Sequence, residues 1–426
     1  MPSVGSPLDP LRLEYGRDVD GLAVVRQSTP TSAASFSATY VGPAGWGFDR
    51  PGEEGTARAV NYLLASGAGR YDRIAFARRL DRAGATLTPE CAPESAEVTI
   101  WGPSEDWESL LALLSDVVLR PRFAPEDLER VRRQLSERQM RELTQPASRA
   151  DRELFRATYP QGHPYRSNGL GDARSIPRLT PSGIRDFHSK HYTSGDAILV
   201  VTAPVGLRSV ETVARRCFSG FAVSRGPSLR FPKASPRPPR TVSVNLAGNS
   251  EVDIRIGGDS LARSDPAYPA AFLANEVLGG RAQLSRLFQR IRERGGLAYH
   301  AASELEAMRF GGHWTVGAGT APANARRVVT LLTQEVENMQ THAVPAAVLR
   351  EVRESTIGEI PLALESTADA HELAVEVAYH RLPADFLVRW PEMLRAVRPA
   401  EIREAASRSM DCRHAVTVVA GPLPKA

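Results

Sequence analysis

The 426-residue sequence predicts an α+β protein made by internal duplication: two homologous domains, each an antiparallel-rich sheet with helices packed on one face. Three observations predict it. Segments of strand period and helix period follow one another in the same order in both halves. Residues 224–240 hold five prolines and no hydrophobic period, which reads as a semi-extended linker between the halves. The closing segments align without a gap, because Pro181, Ile184, Arg185, Val200, Val201 and Pro204 lie 218 positions before Pro399, Ile402, Arg403, Val418, Val419 and Pro422. The expected division is therefore residues 1–223, a linker at 224–240 and residues 241–426.

The first half opens with two strands, 20–28 and 34–42, where apolar residues alternate or run together. Helices follow at 53–66 and 72–83, the second with Ile74, Phe76, Ala77 and Leu80 on one face. Residues 85–103 read as a hairpin turning near Ala92-Pro93-Glu94. Helices are expected at 105–120, 125–142, 149–158 and 180–192, then a strand at 197–202 and a helix at 207–216. The second half repeats the scheme: strands at 241–247 and 251–257, helices at 266–278 and 283–293, and a strand pair at 298–306 and 311–319. Helices at 322–340, 345–360, 368–380, 384–395 and 399–409 and a strand at 415–420 complete it.

A net charge of +4 is small for this length, and its arginines are interleaved with Asp and Glu, as in 125–142. That pattern is a solvated helix face rather than a nucleic-acid surface. Lysine occurs only at Lys190, Lys233 and Lys425, and this Arg-rich, Ala/Pro-rich composition points to a high-GC bacterial genome. Cys91, Cys217 and Cys412 are odd in number and far apart, which fits neither a disulfide framework nor a zinc spacing. The first ten residues lack the basic and apolar regions of a secretory signal, and the longest apolar stretch, near 197–205, is far short of a membrane span. A cytoplasmic protein without membrane or nucleic-acid partners is expected.

The most informative stretch is Glu53-Glu-Gly-Thr-Ala-Arg-Ala-Val-Asn-Tyr-Leu-Leu-Ala-Ser66, opened by two acids and closed by Gly67. Ala57, Val60 and Leu64 share one helix face, and Arg58, Asn61 and Tyr62 share the next. Positions 58, 61 and 62 have the spacing by which H-x-x-E-H aims two imidazoles and a carboxylate at one zinc ion. Arginine cannot ligate a cation and an asparagine amide cannot take a proton from water. Taken alone, the stretch is an amphipathic helix.

Its neighbours change that reading. Gly55-Thr-Ala-Arg-Ala-Val-Asn-Tyr-Leu-Leu, Leu80-Asp-Arg-Ala-Gly-Ala, Glu129-Arg-Val through Gln145-Pro146, His163-Pro-Tyr, Gly169-Leu-Gly and Arg292-Glu-Arg-Gly-Gly-Leu-Ala-Tyr299 occur in an order that resembles the pitrilysin, insulinase and mitochondrial-processing-peptidase family of zinc metallopeptidases, the inverzincins, in its short two-domain bacterial form. The likeness runs from about residue 20 to 422. It implies a chain that forms half of a clam-shell. It also implies that Arg58, Asn61 and Tyr62 stand at the first His, catalytic Glu and second His positions. The distal glutamate ligand would fall at Arg138, or at Glu137 with a one-residue shift. A catalytic zinc needs three protein ligands and an open position, and hydrolysis needs a base. The resemblance therefore implies a degenerate site that binds no metal.

The matching Arg292 and Tyr299 are intact. In the family such a pair holds the substrate carbonyl opposite the zinc, and guanidinium and phenol donors suit a developing oxyanion. The expectation is the zinc-lacking subunit of a heterodimeric metallopeptidase, contributing Arg292 and Tyr299 to the site of a homologous zinc-bearing partner that cleaves unfolded peptides, a leader peptide among the possible substrates. Pro89 lies in the strand that by resemblance pairs with substrate and lacks the N–H such pairing uses. Two other readings stand beside this one: a structural scaffold without a role in proteolysis, and an autonomous peptidase with an unorthodox site. His371-Glu372 does not extend to H-E-x-x-H, because Val375 stands where the second His belongs. His188 and His191, at i and i+3 without acid or thiol partners, are expected to take a surface or packing role rather than to bind a metal. The double glycines at 279–280 and 311–312 are expected to be turns.

Overall fold

The structure, a computed structural model, describes residues 12–29, 34–223, 228–232, 238–281, 283–363 and 365–422. Of the expected linker, 224–227 and 233–237 lie outside the described residues. In the first half the chain forms β1 (Leu13–Tyr15), β2 (Ala23–Ser28), β3 (Ser35–Gly42), α1 (Thr56–Leu64), α2 (Arg73–Arg82), β4 (Thr86–Cys91) and β5 (Ala96–Pro103). Then come α3 (Trp107–Leu119), α4 (Pro125–Thr144), α5 (Pro146–Thr158), α6 (Pro181–His191), β6 (Ile198–Ala203) and α7 (Leu207–Cys217). The second half holds β7 (Arg240–Asn245), β8 (Val252–Ser260), α8 (Tyr268–Asn275), β9 (Ala298–Ala307), β10 (Gly312–Thr320) and α9 (Ala325–Thr341). It closes with α10 (Ala346–Ala363), α11 (Thr367–Tyr379), α12 (Phe386–Ala396), α13 (Pro399–Ser409) and β11 (Val416–Gly421).

The expected α+β duplication is present in the topology. One sheet runs β1-β2-β6-β3-β5-β4 and the other β7-β11-β8-β10-β9. Removing β1 leaves the same strand order in both. Each has one parallel pair, β2 with β6 and β7 with β11, and antiparallel neighbours elsewhere. β1, at three residues too short to carry a sequence period, pairs antiparallel with β2.

Two compact units form, and they are not simple halves of the chain. One comprises residues 1–139, 168–229 and 360–389, the other 140–167, 230–359 and 390–426. The segment carrying α5 thus packs in the second unit and the segment carrying α11 in the first, although sequence order places each in the opposite half. The reason lies in the second face of each sheet. In the first unit, Phe36, Ala38 and Tyr40 of β3 join Val98, Ile100, Leu199 and Val201 in one core with α1, α3 and α7. The alternate residues Ser37, Thr39 and Thr202 point the other way and are also buried. α11 covers them, and its His371 bonds Thr39 Oγ1 and Thr202 Oγ1 at 2.7 Å each. In the second unit Ala150 and Leu154 of α5 cover Val416, Val418 and Ala420 of β11, while α8 and α9 pack on strands of the same sheet.

Two expected α-helices differ in kind. The end of 266–278 and most of 283–293 are wider π turns, Glu276–Gly280 and Phe288–Glu293. The second closes on Gly295-Gly296, with Leu297 N donating to Ile291 O at 3.0 Å. Neither period nor propensity distinguishes a π turn from an α turn over so few residues.

Candidate functional site

α1 carries the face on which the reading turns. Ala57, Val60, Leu63 and Leu64 are buried in the first unit's core and fix the helix by apolar contact worth about 1.5–3 kcal/mol per large side chain. Its N-terminus is capped from outside the helix: Asp49 accepts from Gly55 N and Ala57 N at 2.8 Å each. Burial pushes the Asp49 carboxyl up to about 7, against the pull of those two N–H groups. Gly55 has φ +101°, and a Cβ on Gly171 would lie 2.4 Å from Glu54 O. The Gly169-Leu-Gly171 motif thus lets a loop approach the start of α1, and that loop brings the Asn168 carbonyl to Arg58.

All three positions on the face are engaged by protein. Arg58 donates from Nε at 3.1 Å and Nη2 at 2.6 Å to Asn168 O, and its guanidinium lies 4.7 Å over the Trp46 ring. Asn61 is 0% exposed and donates from Nδ2 to Glu90 O at 2.8 Å and Glu97 O at 3.3 Å, tying α1 to the β4–β5 hairpin. The Tyr62 hydroxyl accepts from Arg138 Nη1, and the Arg138 guanidinium lies 5.8 Å over its ring. Of the two residues considered for the distal position, Arg138 therefore reaches this face, while Glu137 is exposed. Two guanidiniums, an amide and a phenol do not fit a zinc ion, since none is an anionic or imidazole ligand. Among the described residues no group of three or more His, Cys, Asp and Glu is arranged to hold a metal ion.

β4 is the free edge of its sheet, and its pairing with β5 fixes where Pro89 points. The turn bond from Ala92 N to Ser95 O makes Pro89 and Val98 a pair without mutual hydrogen bonds. The Pro89 nitrogen therefore faces outward, so the open edge lacks an N–H there and keeps those of Leu87 and Cys91. The Cys91 thiol is pushed up to about 12 by burial, which leaves it inert as a nucleophile.

In the second unit, Arg292 lies in the last turn of the π segment, and Tyr299 follows on β9. The Arg292 guanidinium lies 5.2 Å over the Tyr299 ring and 4.8 Å over the Phe288 ring. Tyr299 is 80% exposed, with its hydroxyl directed to solvent rather than core. The structure thus brings Arg292 and Tyr299 together as an accessible donor pair. The two histidines of α6 pack: His188 Nε2 donates to Val118 O at 2.9 Å beside Phe123, and His191 lies between Phe48 and Phe187. His163 of the His-Pro-Tyr motif stacks on Tyr159 with ring centroids 4.4 Å apart, in an aromatic cluster with Tyr165 and Phe231.

Comparison with known proteins agrees with this architecture. The chain matches the insulinase, or peptidase family M16, model over residues 23–168 and the M16 inactive-domain model over 178–356. It is similar to uncharacterized zinc proteases of Mycobacterium leprae, 26% identical over 82% of this chain and 78% of the relative, and of Streptomyces coelicolor, 25% identical over 95% and 88%. A crystal structure described as a peptidase M16 inactive domain from Pseudomonas fluorescens superposes with a TM-score of 0.90 at 21% identity, covering 97% of this chain and 98% of that one. These matches define a two-domain metallopeptidase fold. The chain belongs to peptidase family M16.

Proposed function

We propose that this chain is the zinc-lacking subunit of a heterodimeric M16 peptidase. The observation that carries the reading is the α1 face, where Arg58, Asn61 and Tyr62 are each engaged by a protein contact and none of these hydrogen bonds among the described residues is to a carboxylate or imidazole. The complementary feature is Arg292 with Tyr299, an exposed pair of donors whose polar ends make no hydrogen bond among the described residues. A homologous partner would supply the metal and the base. Arg292 and Tyr299 would donate to the carbonyl oxygen of an unfolded peptide as that oxygen gains negative charge. A leader peptide suits such a site. The cytoplasm suits three half-buried cysteines that form no disulfide. Among the described residues no helix is long and apolar enough to cross a membrane.

The test is hydrolysis of unstructured peptides by a mixture of this chain with a zinc-bearing M16 partner, with wild-type chain or with Arg292→Ala/Tyr299→Phe. Loss of one oxyanion donor costs about 10²–10³ in kcat, so the double variant should lose at least that much while the complex still assembles. Undiminished turnover by the variant mixture would reduce the chain to a scaffold.

A further inference from the structure

We propose that the α1 face is a receptor for a peptide carboxylate, set beside the open β4 edge. An arginine has five N–H donors, and the edge made by Nε and Nη2 is the one that matches two carboxylate oxygens. Arg138 spends Nη1 on the Tyr62 hydroxyl, which leaves that edge without a protein acceptor among the described residues. Arg58 spends Nε and Nη2 on Asn168 O, keeping Nη1 and its charge one helical turn from Tyr62. Among the described residues neither guanidinium is in a salt bridge, although the Arg58 charge is felt by the buried Asp49 carboxyl, whereas Arg130 and Arg132 on the same helix as Arg138 pair with Asp127 and Glu129.

The site is also organised in advance. Trp46 lies flat under Arg58 and Tyr62 under Arg138, so little side-chain freedom remains to be lost on binding. Asn61 locks the helix to β4 through Glu90 O, which fixes the face next to a free strand edge. The donor set selects the anion. One open fork, one adjacent charge and the Tyr62 O–H, whose oxygen accepts from Arg138, suit a group with two oxygens, and the Asn61 amide is committed to Glu90 O and Glu97 O. Inorganic phosphate, with more oxygens to satisfy, should bind less well. The carboxylate can come from a peptide C-terminus or from an Asp or Glu side chain. The inference holds whether or not a partner supplies zinc, because it concerns binding by this chain alone.

The test is calorimetric titration of the full chain with three N-acetylated ten-residue Gly/Ser/Leu peptides: one with a free C-terminal carboxylate, its C-terminal amide, and the amide carrying one central Glu. At least one anionic peptide should bind about tenfold tighter than the neutral amide, as expected for a charge-assisted bidentate contact, and the preference should shrink with added salt. Whichever anionic peptide binds identifies the source of the carboxylate. Arg138→Gln should abolish the preference with an unchanged melting curve, since the side chain is exposed. Arg138→Lys should keep part of it, because charge remains and the fork is gone. Equal binding of neutral and anionic peptides, a full preference retained in Arg138→Gln, or displacement by sodium phosphate below the peptide concentration would each overturn the proposal.

Discussion

The α1 face in the first unit and the Arg292/Tyr299 pair in the second differ in one physical respect: what their polar atoms are used for. Asn61 is sealed, and its amide closes on two backbone carbonyls. Arg58 is half-buried and holds a loop carbonyl. Arg292 lies over the Phe288 and Tyr299 rings, and the polar ends of Arg292 and Tyr299 face solvent. A ligand or base must keep lone pairs available for chemistry, whereas a structural donor must have its bonds made inside the fold. The first face has taken the structural option at positions 58 and 61, and the second pair has not.

The comparison breaks most sharply at Asn61. Asn61→Asp keeps the shape but turns a donor into an acceptor facing Glu90 O and Glu97 O inside the fold. An unpaired buried charge costs about 3 kcal/mol or more, readable as a drop in the denaturant midpoint. A variant as stable as wild type would mean that the face is not sealed.

A second buried polar group of this unit, His371, gives a pH signature. His371 lies between two threonine hydroxyls, and burial pushes it down to about 3. Its folded pKa is below the unfolded value of about 6.5, so the unfolded chain binds the proton first. Stability should be flat above about pH 6.5 and fall as pH drops toward 3, by roughly 2 kcal/mol at pH 5. Chemical denaturation of wild type and His371→Gln across pH 5–8 measures it, and the variant should lose this component of the slope.

The exposed pair should do the opposite. Arg292→Ala/Tyr299→Phe should change folding stability by no more than about 0.5 kcal/mol, as exposed substitutions do. A larger loss in the same denaturation experiment would make the pair structural.

Much of this was legible in the sequence. The offset between Pro181 and Pro399 marked the duplication, and the periodic segments became strands and helices within a few residues. The placement of Arg58, Asn61 and Tyr62 on one face followed from helix geometry alone. What stayed hidden was long-range. Nothing local says that α5 and α11 cover the sheets of the units opposite to their sequence halves, because an amphipathic helix does not name the sheet it will cover. The partners of Arg58 and Asn61, namely Asn168 O, Glu90 O and Glu97 O, are backbone atoms and leave no residue-type signal. The one local cue to Trp46 and Asn168 is their place beside glycines, Gly45, Gly47 and Gly169, and glycine-flanked turns are common.

The central claim is that this chain cannot hold its own catalytic metal. The direct measurement is the zinc content and peptidase activity of the purified chain alone after dialysis against micromolar zinc. The account predicts substoichiometric zinc, no turnover, and no change on adding a chelator. One zinc per chain, removed by chelator together with activity on an unstructured peptide, would contradict it.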